Sequence, residues 1–242
     1  MHAKIAIYCD FDGTVTTRDT VDFLLERLAA PSWKDIEALW EQGKIGSREC
    51  MAQQIPLIQG GWAAVEALLP EVVIDPTFVD FVQWCERHHI ALALVSEGLD
   101  RVIHTLLARE GINVPTVWAN HLEEDSQGQL SLSFPNAPSD PRCQAGLCKC
   151  RVINQPLFSN DPDIHRVVIG DGMSDRCWSE EADTLFAKSK LIKHCQENRI
   201  PYIPFDNFHT IQNVLENQLR PFPKQSVEVP TLATIAKSTG SR

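Results

Sequence analysis

The sequence predicts an α/β protein whose core is a doubly wound parallel sheet, with a small bundle of helices inserted after the first strand. Three short apolar runs, at residues 5–9, 90–95 and 167–169, are rich in strand-forming side chains and are continuous rather than alternating. Such runs are typical of strands that are covered on both faces in a parallel sheet. Because helical patterns lie between them, strands and helices are expected to alternate along the chain.

The core elements follow in order. Asp75-Pro76 supplies a cap and a first-turn proline for a helix with apolar residues at 78–85, and Gly111 closes a second helix whose stripe runs over 102–107. A hairpin is predicted over 122–134, and a late helix over 208–215. Weaker strands are predicted at 184–187 and 202–204.

The stretch from Thr17 to Val73 has no convincing strand and is predicted to be a helical cap. Its helical segments are 20–29, 32–42, 47–58 and 62–68, with tryptophans 33, 40 and 62 filling the bundle core. Ser32 and Asp35 have the spacing of a capping box. The predicted division is therefore a core of residues 1–16 and 75–230, a cap of 17–74 and a loose tail of 231–242.

Composition and charge exclude several classes of protein. The 242 residues are 43% apolar and 22% charged, which excludes a disordered chain. The net charge of −10 without a basic run argues against a nucleic-acid partner. The longest apolar run, at 90–95, is too short to span a membrane. Because a strand-like run begins near residue 4, no signal peptide is expected, and the predicted location is cytoplasmic.

Acidic residues follow two of the three strong strands. Asp10 and Asp12 follow the first strand, Ser96 ends the second, and Asp171 and Asp175 follow the third. The carboxyl ends of neighbouring parallel strands meet at one crevice, so these side chains are expected to converge. Grouped carboxylates need a cation, and oxygen ligands suit Mg²⁺. The sequence therefore predicts a magnesium site suited to phosphoryl transfer.

These motifs resemble those of the haloacid dehalogenase (HAD) superfamily. The matching residues are the segment 10–16 (DFDGTVT), Ser96, Lys149 and the segment 170–175 (GDGMSD). The resemblance spans residues 5 to about 215 and implies a Rossmann-like HAD core. The helical insert after the first motif resembles the small four-helix cap of one subgroup of that family.

The resemblance implies a role for each matched residue. Asp10 would be the nucleophile that becomes an aspartyl-phosphate, and Asp12 would be the general acid and base. Mg²⁺ would be held by Asp10, the backbone carbonyl of Asp12 and Asp171. Asp175 would support these ligands without contacting the ion, or would ligate the ion through water. The phosphate-binding candidates are Gly13, Thr14, Ser96, Glu97, Gly98 and Lys149.

The implied function is an Mg²⁺-dependent phosphomonoesterase acting on a small phosphorylated metabolite. Residues 119–121, the cysteine-rich approach to Lys149 and residues 201–208 resemble the branch whose substrate is 2-hydroxy-3-keto-5-methylthiopentenyl-1-phosphate, of methionine salvage. A phosphoserine phosphatase or other small-metabolite phosphatase, a phosphotransferase and a non-catalytic phosphate-binding regulator stay open as alternatives. Neither a nucleic acid nor a membrane is an expected partner, and no oligomeric state is predicted.

Substrate selection is expected to fall to the cap. The candidates are Arg18, Asp19, Arg48 and Gln54. Asp19 could stand where phosphoserine phosphatases place an acidic residue, but residues 51–56 lack the arginine that those enzymes use to bind the substrate carboxylate. Glu97 also replaces the glycine that the family has after the serine, which adds negative charge near the phosphate site.

The eight cysteines are expected to be mostly reduced thiols. Cys143, Cys148 and Cys150 could bind zinc with His121 as a fourth ligand, or form a reduced loop. Four other cysteines lie on helical patterns and are predicted to be buried, namely Cys50, Cys85, Cys177 and Cys195.

Overall fold

A computed structural model describes residues 5–140, 142–154 and 163–219. Seven strands form one sheet in the order β4-β3-β2-β1-β5-β6-β7, and every neighbouring pair is parallel except β3 and β4. The strands are β1 Ile5–Cys9, β2 Ala91–Leu99, β3 Thr116–Glu124, β4 Leu130–Ser133, β5 His165–Gly170, β6 Thr184–Ala187 and β7 Ile203–Pro204. This topology confirms the predicted α/β fold class.

Helices cover both faces of the sheet. The core helices are α5 Pro76–Arg87, α6 Asp100–Arg109, α7 Lys149–Ile153, α8 Arg176–Ser179, α9 Ser189–Asn198 and α10 Phe208–Leu219. The insert contains α1 Thr20–Leu28, α2 Trp33–Glu41, α3 Ser47–Gln54 and α4 Gly61–Leu68, with 3₁₀ turns at Ile55–Leu57 and Leu69–Glu71. The four predicted helical segments of the cap are therefore present.

The central position of β1 in the sheet explains why its sequence is continuously apolar rather than alternating. Ile5, Ile7 and Cys9 pack into one hydrophobic core, and Ala6 and Tyr8 pack into the other. Because both faces of β1 are covered, every residue of the strand is buried. Its carboxyl end consequently opens at the middle of the sheet, where the strand order reverses and ligands bind in such folds.

Two strands are longer than the sequence pattern predicts. β2 continues from the apolar run through Ser96 to Leu99, with an irregularity in its pairing to β3 between Val95 and Leu99. β3 begins at Thr116 and pairs in parallel with β2 before it enters the predicted hairpin with β4. The parallel half of β3 was missed because its first residues are only half-buried and give a weak apolar signal.

The predicted capping box at α2 is wrong. Within the described part of the chain, Ser32 makes no side-chain capping bond, and Asp35 instead donates its backbone N–H to the Ser32 carbonyl. Ser32 has helical dihedrals, whereas a capping side chain requires an extended residue. The prediction for the tryptophans is confirmed for Trp33 and Trp62, which are buried, while Trp40 is half-buried.

Two linkers connect the cap to the core and pair with each other. Thr16 and Ile74 form an antiparallel bridge, and the Thr17 N–H donates to the Val73 carbonyl. The boundaries at 17 and 74 stay a prediction, and the predicted tail, 231–242, lies outside the described residues. In the described ranges, no helix is long and apolar enough to cross a membrane.

Candidate active site

The carboxyl ends of β1 and β5 bring three aspartates together. Asp10 follows β1 directly, and Asp171 follows β5. Asp10, Asp171 and Asp175 each offer a carboxylate oxygen, and these oxygens lie within 4.8 Å of one another. The predicted convergence of the strand ends is confirmed, while the roles of the individual residues stay predictions.

Lys149, at the start of α7, holds two of these carboxylates. Its fully buried ammonium group donates to Asp10 Oδ1 at 2.5 Å and to Asp175 Oδ1 at 2.7 Å. The other oxygen of Asp175 accepts the backbone N–H groups of Asp171 and Gly172, at 2.9 Å each. Because both of its oxygens are engaged, Asp175 fixes the turn after β5 and the position of Lys149.

The electrostatics of this cluster favour a bound cation. Burial raises the pKa of Asp10 well above its usual range, and the negative charge of Asp175 adds to this effect. Burial and the charge of Asp175 also raise the pKa of Asp171, to about 6. Burial opposes the charge on Lys149, but the two carboxylates outweigh it and raise the lysine pKa above its usual range. The positive charges of Lys149 and Lys188 act on Asp171 but do not offset its burial.

A second group joins β2 to the motif after β1. Ser96 donates its hydroxyl to Asp12 Oδ2 at 2.9 Å, and the backbone N–H of Thr20 donates to Asp12 Oδ1 at 3.1 Å. The Gly98 N–H donates to the Ser96 hydroxyl at 2.8 Å. A Cβ at Gly98 would lie 2.2 Å from Asp12 Oδ2, so only glycine fits there. Asp12, Ser96 and Gly98 therefore form one connected set.

Gly13 and Thr14 border the Asp171 carboxylate. Thr14 donates its hydroxyl to Asp171 Oδ1 at 3.3 Å. Gly13 has a φ of +75°, and a Cβ there would lie 2.7 Å from Asp171 Oδ2. Lys188, which the sequence analysis missed, donates to the Thr14 carbonyl at 3.1 Å. Its position directly after the predicted strand 184–187 is the signal that could have found it.

The Glu97 side chain is directed to the cap rather than to the Asp12 group. Glu97 Oε1 accepts the Ser47 hydroxyl and the Gly146 N–H at 3.0 Å each, and the Leu147 N–H at 3.4 Å. Burial raises the pKa of this carboxyl, and Lys149 and these donors oppose the rise. Glu97 thus links the cap, β2 and the segment before α7, which the sequence analysis did not foresee.

The four residues of the cap that were predicted to select the substrate lie in different environments. Asp19 caps α1 by accepting the N–H groups of Val21 and Asp22, and the exposed Arg18 lies over the ring of Phe23. The Arg48 side chain is exposed. Gln54 is buried between α2 and α3, where it donates to Glu37 at 2.8 Å. This internal bond gives Gln54 a structural role in the cap, and its role in specificity stays a prediction.

The residues present fit a hard divalent cation. Asp10 and Asp171 supply carboxylate oxygens, and Gly13 leaves the space beside Asp171 Oδ2 open. Oxygen-only ligands on two strand ends suit Mg²⁺, which keeps several waters and binds through one or two carboxylates. No thiol or imidazole belongs to this acidic group in the described residues.

The family of haloacid dehalogenase-like hydrolases matches residues 7–180, and the chain belongs to this family. A relative from Bacillus cereus (strain ATCC 10987), named 2-hydroxy-3-keto-5-methylthiopentenyl-1-phosphate phosphatase, is 31% identical over 222 residues. These residues cover 89% of this chain and 98% of the relative. A relative from Bacillus mycoides (strain KBAB4) with the same name is 31% identical over 221 residues and has the same coverage.

Solved structures share the fold. An aspartyl-phosphate analogue complex of a phosphoserine phosphatase superposes with a TM-score of 0.64 at 18% identity, over 88% of this chain and 99% of that chain. An HAD family hydrolase from Salmonella enterica serovar Typhi gives a TM-score of 0.69 at 18% identity, over 90% of this chain and 73% of that chain. At these identities the likeness concerns the fold alone.

Proposed function

We propose that this protein is an Mg²⁺-dependent phosphomonoesterase that works through an aspartyl-phosphate on Asp10. The observation that carries the proposal is the contact of Asp10 with the buried Lys149 beside Asp171. A carboxylate at the end of the central strand, held by an ammonium group, can attack an incoming phosphorus atom. Its position is at the strand ends, where ligands bind in folds of this kind.

We assign two proton transfers to Asp12. In the first half-reaction an Asp10 oxygen attacks phosphorus, the ester bond to the substrate oxygen breaks, and Asp12 protonates that oxygen as the alcohol leaves. In the second, Asp12 takes a proton from water as the water oxygen attacks the aspartyl-phosphate, which releases phosphate and restores Asp10. The backbone N–H of Thr20, which donates to Asp12 Oδ1, holds the Asp12 carboxyl for both steps.

The remaining matched residues hold the phosphoryl group and the cation. We assign Ser96, Gly98, Lys149, Gly13 and Thr14 to the phosphoryl oxygens, with Glu97 contributing through its backbone rather than its carboxylate. Asp10, Asp171 and the Asp12 carbonyl would hold Mg²⁺, and Asp175 would orient the site. When bound, Mg²⁺ neutralises phosphate charge and lowers the repulsion between the phosphate and the Asp10 carboxylate.

The proposed substrate is 2-hydroxy-3-keto-5-methylthiopentenyl-1-phosphate. It is supported by the relatives that carry this name, because they match nearly their whole length to this chain. Phosphoserine phosphatase structures share the fold at 18% identity, which supports the cap and core rather than the substrate. We further propose a cytoplasmic location, in keeping with eight free cysteines, all in the described part of the chain.

The test is phosphate release from a matched panel. The enol phosphate, phosphoserine and an aryl phosphate are compared by kcat/KM with Mg²⁺ and after chelation. The enol phosphate is expected to give the highest kcat/KM, and chelation is expected to abolish turnover of all three. A higher value for phosphoserine would replace the substrate assignment, while no Mg²⁺-dependent release from any ester would support a binding protein. Recovery of the phosphoryl group on an added alcohol would indicate a transferase.

A further inference from the structure

Four cysteine thiols lie together beside the active-site lysine, outside the proposed reaction. Cys148 and Cys150 flank Lys149, and their sulfur atoms are 3.1 Å apart. The Cys143 thiol interacts with that of Cys148, and the Cys177 thiol interacts with that of Cys150. Cys177 was predicted to be buried in a helix, and this prediction is wrong, because Cys177 is exposed on α8.

We propose that Cys143, Cys148, Cys150 and Cys177 form a structural zinc site that joins the segment before α7 to α8. Four thiolates are a complete tetrahedral donor set for Zn²⁺, and a site with four protein ligands is structural rather than catalytic. His121, which the sequence offers as a candidate fourth ligand, pairs through Nδ1 with Asp100 at 2.6 Å, whereas the Cys177 thiol interacts with that of Cys150. Cys177, from a different element, takes that place.

The thiols would have to rotate to surround one ion. Sulfur atoms around zinc are about 3.8 Å apart, given Zn–S bonds of about 2.3 Å. In the structure the contacts run from Cys143 through Cys148 and Cys150 to Cys177, so the two end thiols must turn inward. Cys143 is half-buried on an irregular segment and Cys177 is exposed, which leaves both side chains room to rotate.

The thiols of this cluster have little cationic compensation of their own. Lys149, whose charge acts on Cys177, already pairs with Asp10 and Asp175, and Arg142 pairs with Asp140. Burial raises the pKa values of Cys143, Cys148 and Cys150, which is unlike the lowered values of reactive cysteines. A divalent cation that binds thiolates supplies the stabilisation that these thiols lack.

The location of the proposed zinc site indicates what the metal would stabilise. The 15 residues between β4 and α7, at 134–148, include no helix or strand among those described, yet the segment leads into Lys149, which is fully buried. Asp175, the partner of Lys149, lies two residues before Cys177. One zinc ion would therefore cross-link the two segments that supply Lys149 and Asp175.

The test uses the full chain, purified under reducing conditions. Elemental analysis is expected to find one zinc per chain, and Co²⁺ added to the chelator-treated protein is expected to give sulfur-to-cobalt charge-transfer bands and the d–d bands of a tetrahedral site. These bands separate a thiolate site from zinc bound at the aspartates. Asp171→Asn should retain them, and so should Cys50→Ser, a matched change of a cysteine in the cap that contacts Glu37.

Cys143→Ser and Cys177→Ser are expected to lose the zinc and the charge-transfer bands and to lower the thermal midpoint. Absence of stoichiometric zinc together with absence of cobalt–sulfur bands in the intact chain would overturn the proposal, whether or not the variants fold. Iron with acid-labile sulfide in place of zinc would overturn it too. Retention of the bands in Cys177→Ser would exclude Cys177 as a ligand and, with it, the four-cysteine site.

Discussion

Ser47, the first residue of the cap helix α3, donates its hydroxyl to the Glu97 carboxylate of the core at 3.0 Å. The same oxygen of Glu97 accepts the backbone N–H groups of Gly146 and Leu147. Glu97 directly follows Ser96, and Leu147 lies two residues before Lys149. One carboxylate therefore ties the cap to both segments that carry proposed phosphate ligands.

Ser47→Ala is expected to raise KM for the preferred ester more than it lowers kcat. A hydrogen bond to a charged acceptor contributes about 1.5–3 kcal/mol, so a change of roughly tenfold or more is expected. The contact between the cap and the core is weakened, while Asp10 and Lys149 are untouched. Steady-state kinetics on the variant check the split between the two constants.

Ser32→Ala is the matched control, because Ser32 is a cap serine without a side-chain capping bond in the described residues. It should leave both constants near their wild-type values. An unchanged KM in Ser47→Ala would show that the Ser47–Glu97 contact does not contribute to substrate binding.

Lys149→Met is expected to abolish phosphate release and to destabilise the fold. Removal of the ammonium group leaves Asp10 and Asp175 buried without their partner, and breaking a buried ion pair in this way costs about 3–5 kcal/mol. Phosphate release and urea unfolding measure the two effects. Lys193→Met, on the exposed face of α9, is the control and should change neither. Substantial activity in Lys149→Met would remove Lys149 from the site.

The sheet and the acidic group were predictable because the relevant signals are local in sequence. The runs at 5–9 and 167–169 are apolar along their whole length, and Asp10 and Asp171 stand directly after the corresponding strands. In a parallel sheet these strand ends must meet on one edge. Local sequence therefore determines both the strands and the convergence of their polar ends.

The remaining features depend on tertiary packing that no local pattern encodes. Ser47 lies 50 residues from Glu97, and their contact requires the cap to be docked on the core. Cys177 meets Cys150 only because α8 packs against α7. The direction of the Glu97 side chain likewise follows from the donors that surround it. The sequence shows only that Glu97 replaces a glycine after Ser96, which by itself suggests a charge near the phosphate.

Asp10→Asn is expected to abolish turnover while the chain stays folded. The amide keeps the shape of the carboxylate but lacks its nucleophilic oxygen. Because burial and Asp175 disfavour a charged Asp10, the neutral side chain should maintain or raise the stability of the metal-free protein. Phosphate release and a thermal melt are measured together. Near-wild-type activity would place the nucleophile elsewhere, and Asp140→Asn, an exposed change, serves as control.

The His121–Asp100 pair is expected to make stability depend weakly on pH. The hydrogen bond and charge of Asp100 raise the pKa of His121 above its unfolded value. The pair's contribution is therefore fully present below the unfolded pKa, about 6.5, and is lost as the pH rises through the raised folded value. Because His121 is largely exposed, the contribution is at most about 1 kcal/mol.

The measurement is the difference in unfolding free energy between wild type and His121→Gln across this pH range. The difference should shrink as the pH rises and should also shrink with added salt, since the pair is screened by solvent. A difference that grows with pH would contradict the assigned direction of the shift.

Gly13→Ala is expected to raise the Mg²⁺ concentration needed for half-maximal activity. Gly13 has a φ of +75°, so alanine strains the backbone by about 1 kcal/mol. The new Cβ would also lie 2.7 Å from Asp171 Oδ2 and force that carboxylate to move.

Gly43→Ala separates the two effects, because Gly43 has a φ of +67° with no atom within 4 Å of its Cβ position. Gly43→Ala should therefore lower stability by a similar amount and leave the Mg²⁺ dependence unchanged. Equal Mg²⁺ requirements in the two variants would mean that Asp171 does not hold the cation.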